Sequence, residues 1–135
     1  MGRVPKYRAW YKPKGVMIEP ENLVMINFDT KVLGVYMEMD GEGYHVLRMS
    51  DFELLEYTGL KDKDGQEICN GDIAEGEHAT YLISWDSKKA QFKVKVIKTK
   101  SVLIKNASFP LWQYVEEDGK CRFNIIGNEF ENLEV

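Results

Sequence analysis

Short runs of alternating apolar and polar residues cover most of the chain, and turn-forming residues separate them. This pattern predicts β-strands with one buried face, because no long stretch keeps the period of an α-helix. The predicted strands are residues 6–11, 16–18, 23–28, 31–39, 44–49, 54–58, 80–85, 91–97, 111–115 and 121–126. A capping-box sequence at 50–53 predicts one helical turn. Many short strands at close spacing indicate a barrel or a sandwich.

The predicted strand at 91–97 separates its apolar side chains from its lysines. Its apolar face consists of Phe92, Val94 and Val96. Lys93 and Lys95 fall on the opposite face, since successive strand residues alternate sides. The alternation breaks at Ile97, and Lys98 and Lys100 follow in the other phase. A bulge or bend near Ile97 is therefore predicted.

Length and composition predict a protein that folds without disulfide bonds. The 135 residues suffice for one domain or two small subdomains, and 44% of them are apolar. The two cysteines, Cys69 and Cys121, are far apart and are predicted to be buried thiols. No apolar run approaches the roughly 20 residues of a membrane span, and no secretory leader is recognisable. A cytoplasmic location without membrane contact is expected.

Charge is distributed in blocks, although the net charge is only −4. Residues 1–14 and 88–105 carry bases and no acid, whereas the segment between them is acidic. A nucleic-acid interface would use the bases Lys93, Lys95, Lys98, Lys100, Arg3, Lys6 and Arg8. Stacking partners for bases would come from the aromatics Tyr7, Trp10, Tyr11, Trp85 and Phe92. The alternative is that these lysines protect a strand edge, which the isoelectric point near 5.3 favours.

The acidic segment at 56–73 invites a metal-site interpretation and does not support it. Aligned to an EF-hand loop, Leu60 occupies the first ligand position and Gly71 replaces the bidentate glutamate. The segment instead predicts tight turns, with Gly65 and Gly71 in the left-handed region and Asp62, Asp64 and Asp72 capping the turns or facing water. Asp40-Gly41 predicts another such turn. No metal or cofactor is predicted.

No residue pattern predicts catalysis. His45 and His78 lack neighbouring ligands at metal-binding spacing. Cys69 with His78 as nucleophile and base has no support beyond the presence of both residues, and Ser84 lacks the glycines of a nucleophile elbow. We therefore expect a protein that is not an enzyme.

Four sequence blocks spread over nearly the whole chain carry a family resemblance. They are residues 6–10 (KYRAW), 57–68 (YTGLKDKDGQEI) with 71–73 (GDI), 84–86 (SWD) with Phe92, and 125–128 (IIGN) with 131–132 (EN). Together they resemble the YopX family of phage and prophage proteins. Departures from the family pattern are a slightly longer leader at residues 1–5, and Cys69, Asn70 and Ala74 in turn and core positions.

The resemblance implies a mainly β fold with a small SH3-like barrel in the C-terminal part. It implies strands around Ile73, Leu82, Val94, Trp112 and Ile125, and it transfers no catalytic residue. The resulting prediction is a β-hairpin subdomain at 1–57 packed on an SH3-like barrel at 58–135. The expected function is that of a phage or prophage accessory protein in the bacterial host cell, binding an unknown protein partner or itself. The alternative function is nucleic-acid binding through residues 88–105.

Overall fold

The structure is a computed structural model that describes residues 4–39 and 41–131, with Glu42 described through its backbone alone. Within these residues the protein is mainly β, with twelve strands, three 3₁₀ turns and no α-helix. The predicted mainly β class is confirmed. Arg3, a predicted phosphate contact, and Asp40, part of a predicted turn, lie outside the described residues.

The chain divides into two compact units, residues 1–56 (unit 1) and residues 57–135 (unit 2). Each unit has its own cluster of buried apolar side chains. That the two units are distinct subdomains with a boundary at residue 57 stays a prediction.

Unit 1 is built from short antiparallel strands. They are β1 (Tyr7–Tyr11), β2 (Val16–Ile18), β3 (Leu23–Asn27), β4 (Val32–Glu38), β5 (Glu42–Arg48) and the first half of β6 (Phe52–Lys61). β1 pairs with β2 and β6, whereas β3, β4 and β5 form a three-stranded sheet in that order. Alternate residues of these strands fill the core, which contains Ala9, Tyr11, Ile18, Leu33, Val35 and Phe52.

Unit 2 contains the second half of β6 and a five-stranded antiparallel sheet. Its further strands are β7 (Glu67–Cys69), β8 (Asp72–Glu75), β9 (Ala79–Asp86), β10 (Gln91–Thr99), β11 (Ser108–Pro110) and β12 (Asn124–Asn128). The sheet order is β11-β10-β9-β8-β12, and β7 pairs with β6. The core of the unit contains Ile68, Ala74, Ile83, Val94, Leu111, Tyr114, Cys121 and Phe123.

The bulge predicted in β10 is confirmed. Val96 pairs with Tyr81, and the next pair joins Lys98 to Thr80, so Ile97 is the extra residue. Tyr81 and Thr80 are consecutive residues of β9, so their side chains lie on opposite faces of the sheet. Lys98, opposite Thr80, therefore lies on the face opposite to that of Val96. The bulge returns Lys98 to the face that carries Lys93 and Lys95.

The strand predicted at 111–115 is wrong. Leu111–Tyr114 is a 3₁₀ turn, in which Leu111 and Tyr114 are buried and Trp112 is exposed. Buried positions three residues apart suit the three-residue period of a 3₁₀ turn better than the two-residue period of a strand. The following strand begins at Asn124 rather than at Cys121, which makes only an isolated bridge to Val115.

The single helical turn predicted at 50–53 is found one residue earlier, as the 3₁₀ turn Met49–Asp51. No helical segment in the described part of the chain has the length and apolar character that crossing a membrane requires.

Candidate functional site

Asp62 organises a turn and is not available as a ligand. It is 1% exposed, and its Oδ1 accepts the backbone N–H groups of Asp64 (2.9 Å) and Gln66 (2.8 Å). Its Oδ2 accepts the N–H of Ile125 at 2.9 Å, which ties the turn to β12. Both carboxylate oxygens are therefore committed to the backbone, as the turn interpretation predicts.

Asp72 has the same kind of role one turn later. It is buried, and its Oδ2 accepts the N–H of Cys69 at 2.7 Å across the turn that contains Gly71. Gly65 and Gly71 have φ values of 90° and 89°, so both predicted left-handed positions are confirmed. Within residues 4–39 and 41–131, no three His, Cys, Asp or Glu residues cluster in a way that would hold a metal ion.

The predicted thiols are buried, as expected, and neither sits in a catalytic arrangement. Cys69 is fully buried, whereas the side chain of His78 is 84% exposed, so these two residues occupy different environments. Burial raises the pKa of Cys121 to about 11, which keeps this thiol neutral at physiological pH. A nucleophilic cysteine needs its thiolate form, and Cys121 lacks that activation.

The structure brings three of the predicted lysines together on one face of β10, here called the lysine face: Lys93, Lys95 and Lys98. The residues opposite them on β9 and β11 are Ser84, Leu82, Thr80, Pro110 and Ser108. None of these neighbours is acidic. The three lysines form no ion pair with any residue that the structure describes, and Lys100 follows as an exposed residue beyond β10.

Two of the aromatic partners expected beside these lysines, Trp85 and Phe92, do not share their face of the sheet. Phe92 pairs with Trp85 and precedes Lys93, so both rings belong to the opposite face of the sheet. Their ring centroids are 5.1 Å apart, and Phe92 packs against the core of unit 2. These two rings therefore do not complete a stacking platform on the lysine face.

The N-terminal bases belong to unit 1. Lys6 is exposed just before β1. Arg8 is buried at 8% exposure, which leaves little of its side chain accessible to a phosphate. Its role as a phosphate contact stays a prediction. Within unit 2, the predicted bases that share one sheet face are Lys93, Lys95 and Lys98.

A cleft of about 830 Å³ opens on unit 2, lined by the β8–β9 hairpin and the segment that precedes β12. Three rings form its wall, and their centroids are 5.3 to 5.8 Å apart: Tyr81, Tyr114 and Phe123. The Arg122 guanidinium lies 4.6 Å from the Tyr114 ring centroid. Acidic and basic residues both line the cleft, among them Glu75, Glu116, Lys63 and Lys120. Its charges do not select one class of ligand.

A second surface, the tyrosine face, lies on the outer side of the β3–β4–β5 sheet in unit 1. It consists of Tyr36, Tyr44 and Val46, which are 51%, 44% and 54% exposed. The register places Tyr36 opposite Tyr44 and Gly34 opposite Val46, so all of them share one side of the sheet. Leu33 and Val35 of β4 point to the other side, into the core.

Gly34 holds the tyrosine face in its arrangement. A Cβ atom at this position would lie 2.7 Å from Cζ of Tyr44, so the Tyr44 side chain rests directly on the glycine backbone. The Tyr44 and Tyr36 rings then meet with centroids 5.3 Å apart. Two large rings are thus fixed against the sheet while about half of each residue remains exposed.

Sequence reasoning missed both the cleft and the tyrosine face. The cleft joins segments about 40 residues apart, which no local pattern relates. The tyrosine face had a readable signal, since Gly34 and Tyr36 alternate with the core residues of β4. In β5, Tyr44 and Val46 alternate with His45 and Leu47 in the same way. Two tyrosines and a valine therefore fall on the solvent side, where polar residues are usual.

Comparison with known proteins gives a family and a fold. A family model described as YopX protein matches residues 6–135. The crystal structure of protein EF1440 from Enterococcus faecalis is similar, with a TM-score of 0.58, 21% sequence identity and 98% of each chain covered. At this identity the similarity shows the fold alone. No curated protein matches the chain. Because the family model spans nearly the whole sequence, the chain belongs to the YopX family.

Proposed function

We propose that this chain is a non-enzymatic accessory protein that acts by protein–protein contact through the tyrosine face of unit 1. The observation that supports the proposal is the exposure of Tyr36, Tyr44 and Val46 as one contiguous apolar group. Contiguous exposed apolar groups on a soluble protein mark interaction sites more often than scattered apolar residues do. Tyrosine is also enriched in the centres of protein interfaces.

The fixed geometry of the two rings strengthens this proposal. Because Tyr44 rests on Gly34 and contacts Tyr36, its rotamer freedom is already reduced before a partner binds. Association then costs less conformational entropy than it would for freely rotating side chains. The preorganised rings therefore favour the binding of a partner.

The biological setting belongs to the same proposal. Family membership supports a phage or prophage protein that works in the cytoplasm of a bacterial host. Cys69 and Cys121 fit that location, since free buried thiols are typical of reducing compartments.

We further propose that unit 2 is an SH3-like barrel. Support comes from its antiparallel sheet and from the bridge between Lys61 and Lys120. This bridge joins the end of β6, which opens the unit, to the segment that precedes its last strand. Pairing between early and late segments is what closes a sheet into a barrel.

A photo-crosslinking amino acid on the tyrosine face tests the interaction proposal even though the partner is unidentified. Replacing Tyr36 by p-benzoylphenylalanine keeps an aromatic ring at an exposed position. Illumination of cells that naturally produce the protein is expected to give a covalent adduct of defined mass, detected on a denaturing gel and identified by mass spectrometry.

The same replacement at Trp112 is the matched control, because Trp112 is an exposed aromatic residue of unit 2. It is expected to give no such adduct. The proposal fails if crosslinkers placed at positions 36, 44 and 46 all yield only the uncrosslinked chain.

A second function, binding of a nucleic acid, is favoured by one specific observation. The bulge at Ile97 aligns Lys93, Lys95 and Lys98 on one face, with no acidic residue directly opposite them on β9 or β11. Strand residues two apart lie roughly 6.6 Å from each other, so the lysine face offers a linear row of cations. Such a row suits the backbone of a single strand, with affinity supplied by counterion release.

Fluorescence anisotropy with labelled single-stranded DNA and RNA tests this second function. Wild-type protein is expected to bind at low salt and to lose affinity steeply as salt increases. Lys93→Glu/Lys95→Glu is expected to abolish binding. Lys88→Glu/Lys89→Glu makes the same charge change in the β9–β10 turn and is expected to bind more nearly like wild type. Equal losses in both double variants would show a general charge effect and would refute the lysine face.

A further inference from the structure

Strand β5 is an unusually open sheet edge. The other edge strands of the described residues are short or irregular: β2, β7 and β11 have three residues each, and β3 and β12 carry register shifts. β5 has seven residues, pairs with β4 without a register shift, and contains neither lysine nor proline. Natural proteins usually protect an edge by one of these devices. β5 lacks all of them, so its edge is suited to pairing with another strand.

The hydrogen-bond pattern shows which residues of β5 offer their backbone to a partner. The Met49 N–H donates to the Lys31 carbonyl at 2.9 Å, in the same register as the β4–β5 pairs. Hydrogen-bonded pairs alternate along an antiparallel ladder, so His45 also directs its N–H and C=O towards β4. Tyr44 and Val46 therefore direct theirs outwards, to the free edge.

We propose that β5 pairs antiparallel with β5 of a second copy of this chain, about a two-fold axis at His45. Tyr44 then lies opposite the partner's Val46, and the two three-stranded sheets become one continuous sheet. This inference rests on the proposed function, since it names the partner that the tyrosine face meets. The paired edge joins the two tyrosine faces into a single apolar surface.

The register about His45 is favoured over its neighbours by side-chain type. It makes Tyr44 and Val46 a cross-strand aromatic and β-branched pair, which stabilises sheets. A shift of two residues in either direction loses this pair.

His45 lies at the axis of this pairing. It faces the partner's His45 as a non-hydrogen-bonded pair, whose side chains lie closest together.

A single cysteine on the axis tests the arrangement. Across a non-hydrogen-bonded pair the Cα atoms are roughly 4.5 Å apart, which is within disulfide range. His45→Cys is therefore expected to form a covalent dimer under mild oxidation. Leu47→Cys is the matched control, since in this register it faces Gly43 of the partner subunit and lies too far from its own symmetry mate. Wild-type protein under the same oxidation measures any background from Cys69 and Cys121, which are buried.

A proline at the free edge provides a second measurement that does not depend on the cysteine variant. Val46→Pro removes an N–H that is directed away from β4, so the β4–β5 ladder stays intact. It is expected to raise the Kd of the dimer about tenfold or more, measured by sedimentation equilibrium. Val46→Thr keeps the N–H and the β-branched shape, and it is expected to dimerise like wild type. Circular dichroism and thermal melting establish that each variant is folded.

The outcomes separate this inference from the proposed function. Wild-type protein that sediments at its monomer mass of 15.7 kDa at every concentration overturns β5 pairing. A dimer that His45→Cys does not crosslink also overturns it. In both cases an adduct from position 36 with a different protein leaves the interaction function intact. A folded Val46→Pro variant that dimerises as well as Val46→Thr overturns the edge pairing as well.

Discussion

Replacing Asp62 by asparagine is expected to lower the free energy of unfolding by about 3 kcal/mol, since hydrogen bonds to a charged acceptor contribute about 1.5–3 kcal/mol each. The Asp62 carboxylate is almost fully buried and accepts three backbone N–H groups, two on one oxygen and one on the other. Asparagine offers only one acceptor oxygen. Its amide NH₂ group must then face a backbone N–H, which leaves a buried donor without an acceptor.

Urea denaturation of wild type and variant measures this loss. Asp64→Asn is the matched control, because Asp64 is exposed and, among the described residues, its carboxylate accepts only the side-chain amide of Asn124, at 2.8 Å. The control is expected to change stability by less than about 1 kcal/mol. An Asp62→Asn variant as stable as the control would contradict the structural role. Added calcium is expected to leave wild-type melting unchanged, and a calcium-dependent rise would show that the carboxylates bind a metal after all.

The sequence predicts an element of the fold well where the pattern of residues within one strand or turn is sufficient to identify it. The broken alternation at Ile97 was enough to place a bulge, because a single inserted residue reverses every later side chain. Turn glycines were equally readable, since Asp64-Gly65 and Asn70-Gly71 lie between apolar runs. Leu111–Tyr114 was misassigned because four residues carry too little periodic signal to separate a 3₁₀ turn from a strand.

Surface sites were predicted less well, because they depend on register and burial. The sequence grouped Arg8 with the lysines by charge, yet Arg8 is a buried residue of β1. It grouped Trp85 and Phe92 with the same lysines by proximity along the chain, yet alternation places them on the other face. The tyrosine face depends on three strands in register and on the missing side chain of Gly34, which no single segment reveals.

The two proposed surfaces differ in how they would respond to solution conditions. The lysine face is a row of charges, so its binding must weaken as salt screens them. The tyrosine face and the β5 edge would bind through apolar contact and backbone hydrogen bonds, which depend little on salt. A salt series therefore discriminates between the two functions even before a partner is identified.

Replacing Gly71 by valine is expected to lower the free energy of unfolding by about 4 kcal/mol, from strain and overpacking of about 1–3 kcal/mol each. Gly71 has a φ of 89°, which a β-branched residue tolerates poorly. A Cβ atom at this position would also lie 2.9 Å from Cε2 of Phe130. The backbone cannot easily shift to relieve the contact, because the Gly71 N–H donates to the Ile83 carbonyl and its own carbonyl accepts the Glu129 N–H, both at 2.8 Å.

Gly65→Val separates the two causes of this loss. Gly65 has a nearly identical φ of 90°, but a Cβ atom there would meet nothing within 4 Å. Its replacement is therefore expected to cost only the backbone strain, about 2 kcal/mol. Denaturant unfolding of both variants gives the difference, which measures the contact with Phe130. Equal losses at the two positions would show that the space around Gly71 adjusts freely, and unchanged stability in both would refute the assignment of these turns.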